Sequence, residues 1–430
     1  MKKDKNKQAV TFLSGSAGEL DWMLPMLDYL SKLKFKIKII YLSRHVKKSV
    51  DNNLFLTNYI NQSGNELETV SCGGYFYELI EKCGYLMHRI NIKLKKPRLL
   101  SIFFYVIDKF CKSIFINQLP RNIFQKDGEG TIIFSESPSL RRPRDKWLKK
   151  IFNKSIFFYC PHSPHIYTSD IDRKYSENDH IDTKKNYFLL MGHPSDYFSV
   201  DDEHEYAASD LEKVFIGHPK YSKQWLHARK QEARSFRSSS ANRKELNVLV
   251  ISRGYGSYID EDRQRQLIET TVQVIQDQIP NYNMFVKKHP REIDSHWDKI
   301  IEDHSSIKIV KDHILDIATK VDFAITFWSS GAIDCNTLGV PVIEFYDPNK
   351  NPKQQISEGN NFTTIYRKLG LVYAADDEKD LSKAISGLLT SESNMQIKKP
   401  HFFYDNLIAR SELWEEKIKK ILSTKNLLDN

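Results

Sequence analysis

The chain has 430 residues, of which 40% are hydrophobic and 12% aromatic, and it carries a formal net charge of +9. Single hydrophobic cores stop growing at roughly 250–300 residues, so we expect two domains. No run approaches the ~18 uncharged apolar residues of a membrane-spanning helix, and no secretory signal precedes the first strand-like segment, so we expect a cytoplasmic protein. The five cysteines show neither metal nor redox spacing, which predicts reduced and mostly buried thiols.

Positive charge is concentrated in residues 89–150, which contain fifteen Lys and Arg against five Asp and Glu. Apolar residues are interspersed with these charges. One interpretation is a peripheral contact with anionic lipid on the inner face of the cytoplasmic membrane, or with an acidic glycan. The other is a core helix flanked by a solvated face, since charge alone selects no partner. We predict no nucleic-acid partner.

The first half of the chain alternates strand-like and helix-like segments. A helix is predicted at 20–33, directly after the first strand. The predicted strands are 10–13, 35–42, 131–134, 155–159, 187–191 and 213–216.

The second half repeats this alternation after a polar, serine-rich stretch at 230–243, which is typical of a linker. An amphipathic helix is predicted within 402–422. The predicted strands are 246–251, 284–287, 307–310, 323–327 and 340–345.

Strands alternating with helices in both halves predict an α/β protein with two Rossmann-like, doubly wound domains facing a central cleft. We place the N-terminal, acceptor-binding domain at 1–232 and a linker at 233–244. The C-terminal, nucleotide-sugar-binding domain follows at 245–395, and a helical segment at 396–430 is expected to pack back on the domains.

Two apolar runs of the second half stop abruptly at polar residues. They are FVKKHPR at 285–291 and FAITFWSSG at 323–331. A buried parallel strand delivers its carboxyl end to a ligand crevice. The first run would bring an imidazole and cations to that crevice, and the second would bring hydroxyls and a helix N-terminus. Together they suit a phosphate ester.

These motifs resemble those of a known group of enzymes. The segment KKHP at 287–290, followed by Ser329 and Ser330, resembles the HP and serine motifs of GT-B glycosyltransferases that use CMP-activated sugars. That group includes bacterial sialyltransferases, polysialyltransferases and capsular Kdo transferases. A related layout occurs in CDP-glycerol phosphotransferases of teichoic acid synthesis. The segment SGSAGE at 14–19 resembles the Gly-Glu motif of lipopolysaccharide Kdo transferases.

The resemblance implies roles for individual residues. His289 would contact the CMP phosphate, and Glu19 would be the catalytic base, with Asp21 as the reserve candidate. The further donor-binding candidates are Lys288, Ser329, Ser330, Gly331, Arg253, Gly254, Asp312, His313 and Glu344. The acceptor-binding candidates are Gly18, His162 and His165.

Each candidate also has a purely structural interpretation. His289 before a proline can close a strand, and a serine or Asp312 can cap the helix that follows it. Glu19 can stabilise a first helical turn through the helix dipole. Glycines near Arg253 can form a plain loop, and His162 can lie in a surface loop.

The sequence therefore predicts a glycosyltransferase that transfers a 2-keto sugar acid from a CMP-linked donor to a glycan or glycolipid acceptor. No carboxylate pair lies convincingly at a strand end, so we expect no metal and no other cofactor. Two alternatives stay open. One is a CDP-glycerol or CDP-ribitol phosphotransferase, and the other is a non-catalytic nucleotide-binding module with the same fold.

Overall fold

The computed structural model describes residues 7–62, 67–71, 109–110, 112–113, 116–117, 119, 130–136, 143–160, 181–191, 211–238, 245–255, 259–289, 292, 296–350, 355–368, 370–390 and 414–428. The acceptor-side candidates His162 and His165 lie outside these ranges, as does most of the basic stretch 89–150.

The N-terminal half forms a seven-stranded parallel sheet with the strand order β3-β2-β1-β4-β5-β6-β7. Its inner strand β1 is buried at every position, because helices cover both faces of a parallel sheet. The strands are β1 (Gln8–Leu13), β2 (Lys36–Tyr41), β3 (Leu67–Ser71), β4 (Thr131–Ser135), β5 (Ile156–Tyr159), β6 (Tyr187–Met191) and β7 (Leu211–Phe215).

Four described helices accompany this sheet: α1 (Ala17–Lys32), α2 (Arg44–Asp51), α3 (Leu54–Gln62) and α4 (Pro143–Ile151). Helix α1 begins after an N-cap at Ser16, whose hydroxyl accepts a hydrogen bond from the Gly18 amide at 3.2 Å. Its apolar residues, including Leu20 and Leu27, pack in the core cluster that also holds Leu13. The start of α1 is thereby fixed at the carboxyl end of β1.

The C-terminal half forms a six-stranded parallel sheet with the order β10-β9-β8-β11-β12-β15. Its strands are β8 (Leu246–Ile251), β9 (Tyr282–Lys287), β10 (Ile307–Ile309), β11 (Phe323–Thr326), β12 (Val342–Phe345) and β15 (Tyr373–Ala375). A separate antiparallel hairpin joins β13 (Ile356–Glu358) to β14 (Asn361–Thr363).

The helices of the second half are α5 (Lys223–Ser238), α6 (Glu261–Gln278), α7 (Trp297–Asp303), α8 (Ile314–Ile317), α9 (Gly331–Thr337), α10 (Ile365–Lys368), α11 (Glu378–Leu389) and α12 (Trp414–Thr424). The predicted linker begins inside α5, whose polar residues flank a buried stripe formed by Leu226 and Ala233. Both residues pack with Leu249 and Ile251 of the second sheet. Helix α5 therefore packs against the C-terminal sheet, and its Trp225 also contacts Phe55 of α3, with ring centroids 6.4 Å apart.

The chain returns to the first half at its C-terminal helix. Ile418, Ile421 and Leu422 of α12 are buried in the core cluster of the N-terminal sheet. Trp414 meets Tyr29 of α1 edge-on, with ring centroids 5.3 Å apart. Lys417 Nζ donates to the carbonyl of Phe215 at 2.6 Å. Helix α12 thus covers the sheet from which the chain started.

Both sheets show the doubly wound topology that the sequence predicts. In each one the strand order reverses between the first and fourth strands, at β1/β4 and at β8/β11, which is where such sheets bind ligands. Two of the cysteines, Cys160 and Cys335, are described and are free and buried, as predicted. Among the described helices, none is long and apolar enough to cross a membrane.

Candidate active site

Two loops leave the C-terminal sheet side by side at its switch point. Strands β8 and β11 pair in parallel, with Ile251 opposite Thr326. Consequently two loops emerge together at this edge of the sheet. One begins with Ser252 and Arg253, and the other contains Trp328 and Ser329. Sequence analysis placed Arg253 and Ser329 among the donor-binding candidates, and the topology brings their loops to one edge of the sheet.

Arg253 connects these two loops. Its Nη1 donates to the carbonyl oxygen of Trp328, and its guanidinium lies 4.5 Å from the centroid of the Trp328 ring. That ring also stacks on Tyr346, with centroids 5.5 Å apart and planes 22° apart. Trp328 has a φ of 62°, a left-handed conformation that is costly for a bulky residue. The contacts of Arg253 and Tyr346 hold it in that conformation.

A buried carboxylate, Glu292, connects the loops that follow β8 and β9. Its Oε1 accepts hydrogen bonds from Ser252 Oγ at 3.0 Å and from Gln264 Nε2 at 3.1 Å. Its Oε2 accepts from the backbone amide of His289 at 3.1 Å. Trp297 Nε1 donates to Ser252 Oγ at 2.9 Å. Glu292 was not among the predicted site residues, although a carboxylate three residues after His289 is a local signal for such a turn.

Gly254 lies against this same carboxylate. A Cβ at this position would lie 3.3 Å from the Glu292 Cβ, so the loop after β8 approaches the loop after β9 closely. The predicted donor-binding role of Gly254 stays a prediction, and the structure gives the glycine a packing reason.

The two lysines that precede His289 point to different partners. Lys288 Nζ forms an ion pair with Asp298 Oδ2 of α7 at 2.8 Å. Lys287 Nζ donates to the carbonyl of Lys311 at 2.8 Å. Burial lowers the pKa of Lys287 to about 8, against the opposing effect of nearby Asp312 and Asp21. Lys287 is therefore a cation with a pKa below that of an ordinary lysine, whereas Lys288 is paired with Asp298.

Ser329, Ser330 and Gly331 form the start of α9. The Ser329 hydroxyl accepts from the Gly331 amide at 3.3 Å, while Ser330 is the N-cap residue and makes no side-chain capping bond. Both serines are half-buried. A Cβ on Gly331 would lie 2.8 Å from Ile314 Cδ1 and 3.0 Å from Ile251 Cδ1. Gly331 thus allows α9 to pack closely on the sheet.

In the loop after β10, the helix cap that was one of the two predicted roles for Asp312 is formed by another residue. Asp312 is exposed and is not the cap of α8. The capping residue is the buried His313, whose Nδ1 accepts from the Leu315 amide at 3.2 Å. A helix can be capped by an imidazole nitrogen as well as by a carboxylate, since either can accept the amide hydrogen. The nucleoside contacts predicted for both residues stay predictions.

Glu344 is the penultimate residue of β12 and is fully buried. Its Oε2 accepts from Thr364 Oγ1 at 2.6 Å and from Arg367 Nε at 2.8 Å. Burial raises the pKa of Glu344 to about 6, although Arg367 and Thr364 oppose the shift. The ribose contact predicted for Glu344 stays a prediction, and the structure shows that the carboxylate anchors Arg367.

On the N-terminal side, Glu19 is fully buried and organises the loop after β1. Its Oε2 accepts from the Ser14 amide at 2.8 Å, and its Oε1 accepts from the Gly15 amide and from Ser14 Oγ. These donors hold the Glu19 carboxylate against the backbone of the loop after β1. Any side chain at Gly15 would collide with Glu19 Oε1. Gly18, an acceptor-binding candidate, lies in the first turn of α1.

Asp21, the reserve candidate for the base, is paired through both of its oxygens. Oδ2 lies 2.6 Å from Lys220 Nζ, and Oδ1 lies 2.8 Å from His313 Nε2. Burial alone would raise the pKa of Asp21, but His313 and Lys220 outweigh it and hold the pKa well below its usual range. Asp21 is therefore ionised and faces the C-terminal half.

The described part of the chain contains no group of three or more His, Cys, Asp or Glu side chains with metal-binding geometry. The residues at the switch point of the C-terminal sheet include the cation Arg253 and the hydroxyls of Ser329 and Ser330, which are groups of the kind that bind anions in proteins.

Comparison with known proteins identifies the fold. No family model and no curated protein sequence matches the chain. A variant of the wall teichoic acid polymerase TagF soaked with CDPG matches with a TM-score of 0.54 and 13% identity, over 98% of this chain and 90% of that one. UDP-GlcNAc 2-epimerase from Methanocaldococcus jannaschii matches with a TM-score of 0.51 and 13% identity, over 97% and 99%. The chain has the GT-B fold, with two Rossmann-like domains facing a central cleft.

Proposed function

We propose that this protein is a glycosyltransferase of bacterial surface-polysaccharide assembly. It would transfer a 2-keto sugar acid, such as Kdo, sialic acid or pseudaminic acid, from a CMP-linked donor to a capsule or lipopolysaccharide glycan. One observation carries the proposal: the loops after β8, β9 and β11 are tied together by Glu292 and by the Arg253–Trp328 hydrogen bond. Loops fixed in this way would hold His289, Ser329 and Ser330 ready for a departing phosphate, whose stabilisation depends on preorganised hydrogen-bond donors.

The donor side would act on the leaving group. As the bond between the anomeric carbon and the phosphate oxygen breaks, the electron pair stays with CMP and negative charge grows on its phosphate. His289, Ser329 and Ser330 would donate hydrogen bonds to that phosphate. Lys287, with a pKa of about 8, is mostly protonated at neutral pH and adds positive potential nearby.

The acceptor side would supply the base. In an inverting reaction, Glu19 takes the proton of the acceptor hydroxyl as its oxygen attacks the anomeric carbon. The Ser14 and Gly15 amides that bind the Glu19 carboxylate favour the ionised form needed for this step. In a retaining reaction Glu19 would need another role.

We propose that the reaction needs no metal ion and no cofactor. The cations and amide donors named above already provide the electrostatic stabilisation that a divalent ion would supply at the leaving phosphate. The protein's partners would be the nucleotide-sugar donor and the glycan acceptor.

A second candidate is a CDP-glycerol or CDP-ribitol phosphotransferase of cell-surface polymer synthesis. The specific observation in its favour is the similarity in fold to TagF, a wall teichoic acid polymerase studied with CDPG. The two candidates differ in the bond that breaks. The first cleaves between the sugar carbon and phosphate oxygen, and the second cleaves within the diphosphate.

Thermal unfolding with a panel of nucleotides separates the candidates. We expect CMP and CMP-linked keto sugars at concentrations well above their Kd to raise the Tm by several degrees, because they bind only the folded protein. Stabilisation by CDP-glycerol alone would favour the phosphotransferase. Stabilisation by UDP-GlcNAc alone would overturn the cytidine assignment.

A further inference from the structure

Lys220 is a buried lysine held between carboxylates from the two halves of the protein. Its Nζ lies 2.6 Å from Asp21 Oδ2 on α1, and 3.0 Å and 3.2 Å from Asp334 Oδ1 and Oδ2 on α9. Its side chain is only 4% exposed. A buried cation between two anions is stable only when both pairs stay intact, because each isolated charge would be costly.

Two further side chains complete what we call the Lys220 cluster: Lys220, Asp21, Asp334, Tyr221 and His313. The Tyr221 hydroxyl donates to Asp334 Oδ1 at 3.0 Å. His313 Nδ1 accepts from the Leu315 amide, which places the ring proton on Nε2, where it is donated to Asp21 Oδ1 at 2.8 Å. Every carboxylate oxygen of the cluster therefore has a partner.

Lys220 and Asp21 both stay charged at neutral pH. Burial would lower the pKa of Lys220, but Asp21 and Asp334 outweigh it and raise that pKa. Asp21 is ionised because His313 and Lys220 lower its pKa against the opposing effect of burial.

Aromatic side chains shield the cluster on the N-terminal side. Trp22, the neighbour of Asp21 on α1, meets Tyr221 and His218 edge-on, with ring centroids 5.6 Å and 4.9 Å apart. Lys220 Nζ lies 5.3 Å from the Trp22 ring centroid. Water is largely excluded, so the attraction between the paired charges is screened less than at the surface, and a partner left unpaired would be costly.

The two helices that the cluster joins carry the two sides of the proposed reaction. Helix α1 holds Glu19, two residues before Asp21. Helix α9 starts directly after Ser329 and Ser330, and Asp334 lies four residues beyond Ser330. His313 lies in the loop after β10 of the donor half. A rigid connection between these elements fixes the distance between the base and the leaving phosphate.

We infer that Lys220 is a positioning residue that ties the acceptor-side helix α1 to the donor-side helix α9 and so sets the geometry between Glu19 and the donor phosphate. This inference rests on the proposed function for its effect on turnover. The tie between the helices is a property of the structure and is measurable by itself.

The test uses full-length Lys220→Met, Lys220→Arg and the double variant Lys220→Met/Asp334→Asn. The double variant removes one positive and one negative charge, leaves Asp21 with His313, and therefore keeps the inference testable where the single variant fails to fold. Lys185→Met is the matched control. Lys185 pairs with Glu212 at 3.2 Å near the amino ends of β6 and β7, whereas Lys220 lies beyond the carboxyl end of β7. The readouts are kcat, the Kd for CMP, and hydrogen exchange in α1 and α9.

We expect Lys220→Met and the double variant to lose ~10-fold or more in kcat, because small misplacements of reacting groups are costly. The Kd for CMP should stay within about twofold of wild type, since the donor loops are intact. Exchange should accelerate in α1 and α9, with partial rescue by Lys220→Arg and no change in Lys185→Met.

Wild-type kcat and wild-type exchange in the double variant would overturn the inference. If the wild-type protein turns over no nucleotide sugar, the proposed function fails. Hydrogen exchange still tests the tie by itself: faster exchange in α1 and α9 of the Lys220 variants supports it, and unchanged exchange overturns it.

Discussion

The carboxylate of Glu292 accepts a hydrogen bond from the backbone amide of His289, with 3.1 Å between Oε2 and the nitrogen. Through Oε1 the same carboxylate binds Ser252, at the end of the neighbouring strand. A single buried side chain thus sets the backbone of the loop that presents His289. The imidazole itself belongs to the proposed phosphate site.

Glu292→Gln should loosen this loop. The amide of Gln keeps only one acceptor oxygen. It therefore cannot accept from both the His289 amide and the Ser252 hydroxyl. We expect the free energy of unfolding to fall by about 1–3 kcal/mol, the usual cost of an unsatisfied buried group, and the KM for the donor to rise. Denaturant unfolding and steady-state kinetics measure both effects. The exposed Glu302→Gln is the control, and equal behaviour of the two variants would contradict the positioning of His289 by Glu292.

His289→Ala should cripple donor use. Removing one preorganised donor from a developing anion commonly costs about 2.7–4 kcal/mol in the transition state, which is a hundredfold or more in kcat. The exposed His227→Ala serves as the control and should keep wild-type kinetics. Activity of His289→Ala within about threefold of wild type, which is less than ~0.7 kcal/mol, would remove His289 from the site.

Most of the two sheets could be predicted from the sequence, because their central strands are continuous apolar runs. The missed strands, β3 and β15, are edge strands. The sequence of β3, LETVS, contains only two apolar residues, and β15 has only three residues. Edge strands are covered less completely than central ones, so they lack the long apolar signal of a buried strand.

The candidate site was predictable only where its residues follow a strand directly. Three of the predicted residues lie shortly after the end of a strand: His289, Ser329 and Arg253. The order of those strands in the sheet explains why the three lie near one another. The role of Lys220 could not be predicted from the sequence, since its partner Asp334 is 114 positions away in the chain. No local pattern reports a contact at that separation. Asp21 was identified, but its pairing with Lys220 and His313 depends on how the two halves meet.

Glu344 should make stability depend on pH in a recognisable way. Burial raises its pKa from 4.5 to about 6, so the folded protein holds this proton more tightly than the unfolded chain does. Its stabilising contribution is fully present below about pH 4.5 and is lost as the pH rises through about 6. The full change is about 2 kcal/mol, at 1.36 kcal/mol per pKa unit.

The comparison is with Glu344→Gln, which has no ionisable group at this position. The difference in unfolding free energy, wild type minus variant, should decrease by about 2 kcal/mol between pH 4.5 and 7. A difference that is flat over this range, or that increases with pH, would show that the pKa of Glu344 is not raised.

Glu19→Gln distinguishes a base from a structural residue. The loss of a general base should lower kcat by ~10²–10⁴ while leaving the Kd for CMP unchanged. The new amide would face the Ser14 and Gly15 amides, so we also expect about 1–3 kcal/mol of destabilisation. If stability falls and kcat is normal, Glu19 only organises the loop after β1. If Asp21→Asn is inactive instead, the base is Asp21.

The central claim is that the protein transfers a keto sugar from CMP. Its most direct test is chromatographic detection of acceptor-dependent CMP release from CMP-linked Kdo, sialic acid and pseudaminic acid, with CDP-glycerol, CDP-ribitol and UDP-GlcNAc as comparison donors. The acceptors would be capsule and lipopolysaccharide oligosaccharides, and each reaction would be run with and without EDTA. We predict that one CMP-linked sugar is transferred at a rate that EDTA leaves largely unchanged. Turnover of CDP-glycerol or CDP-ribitol with no turnover of any CMP-linked sugar would contradict the account.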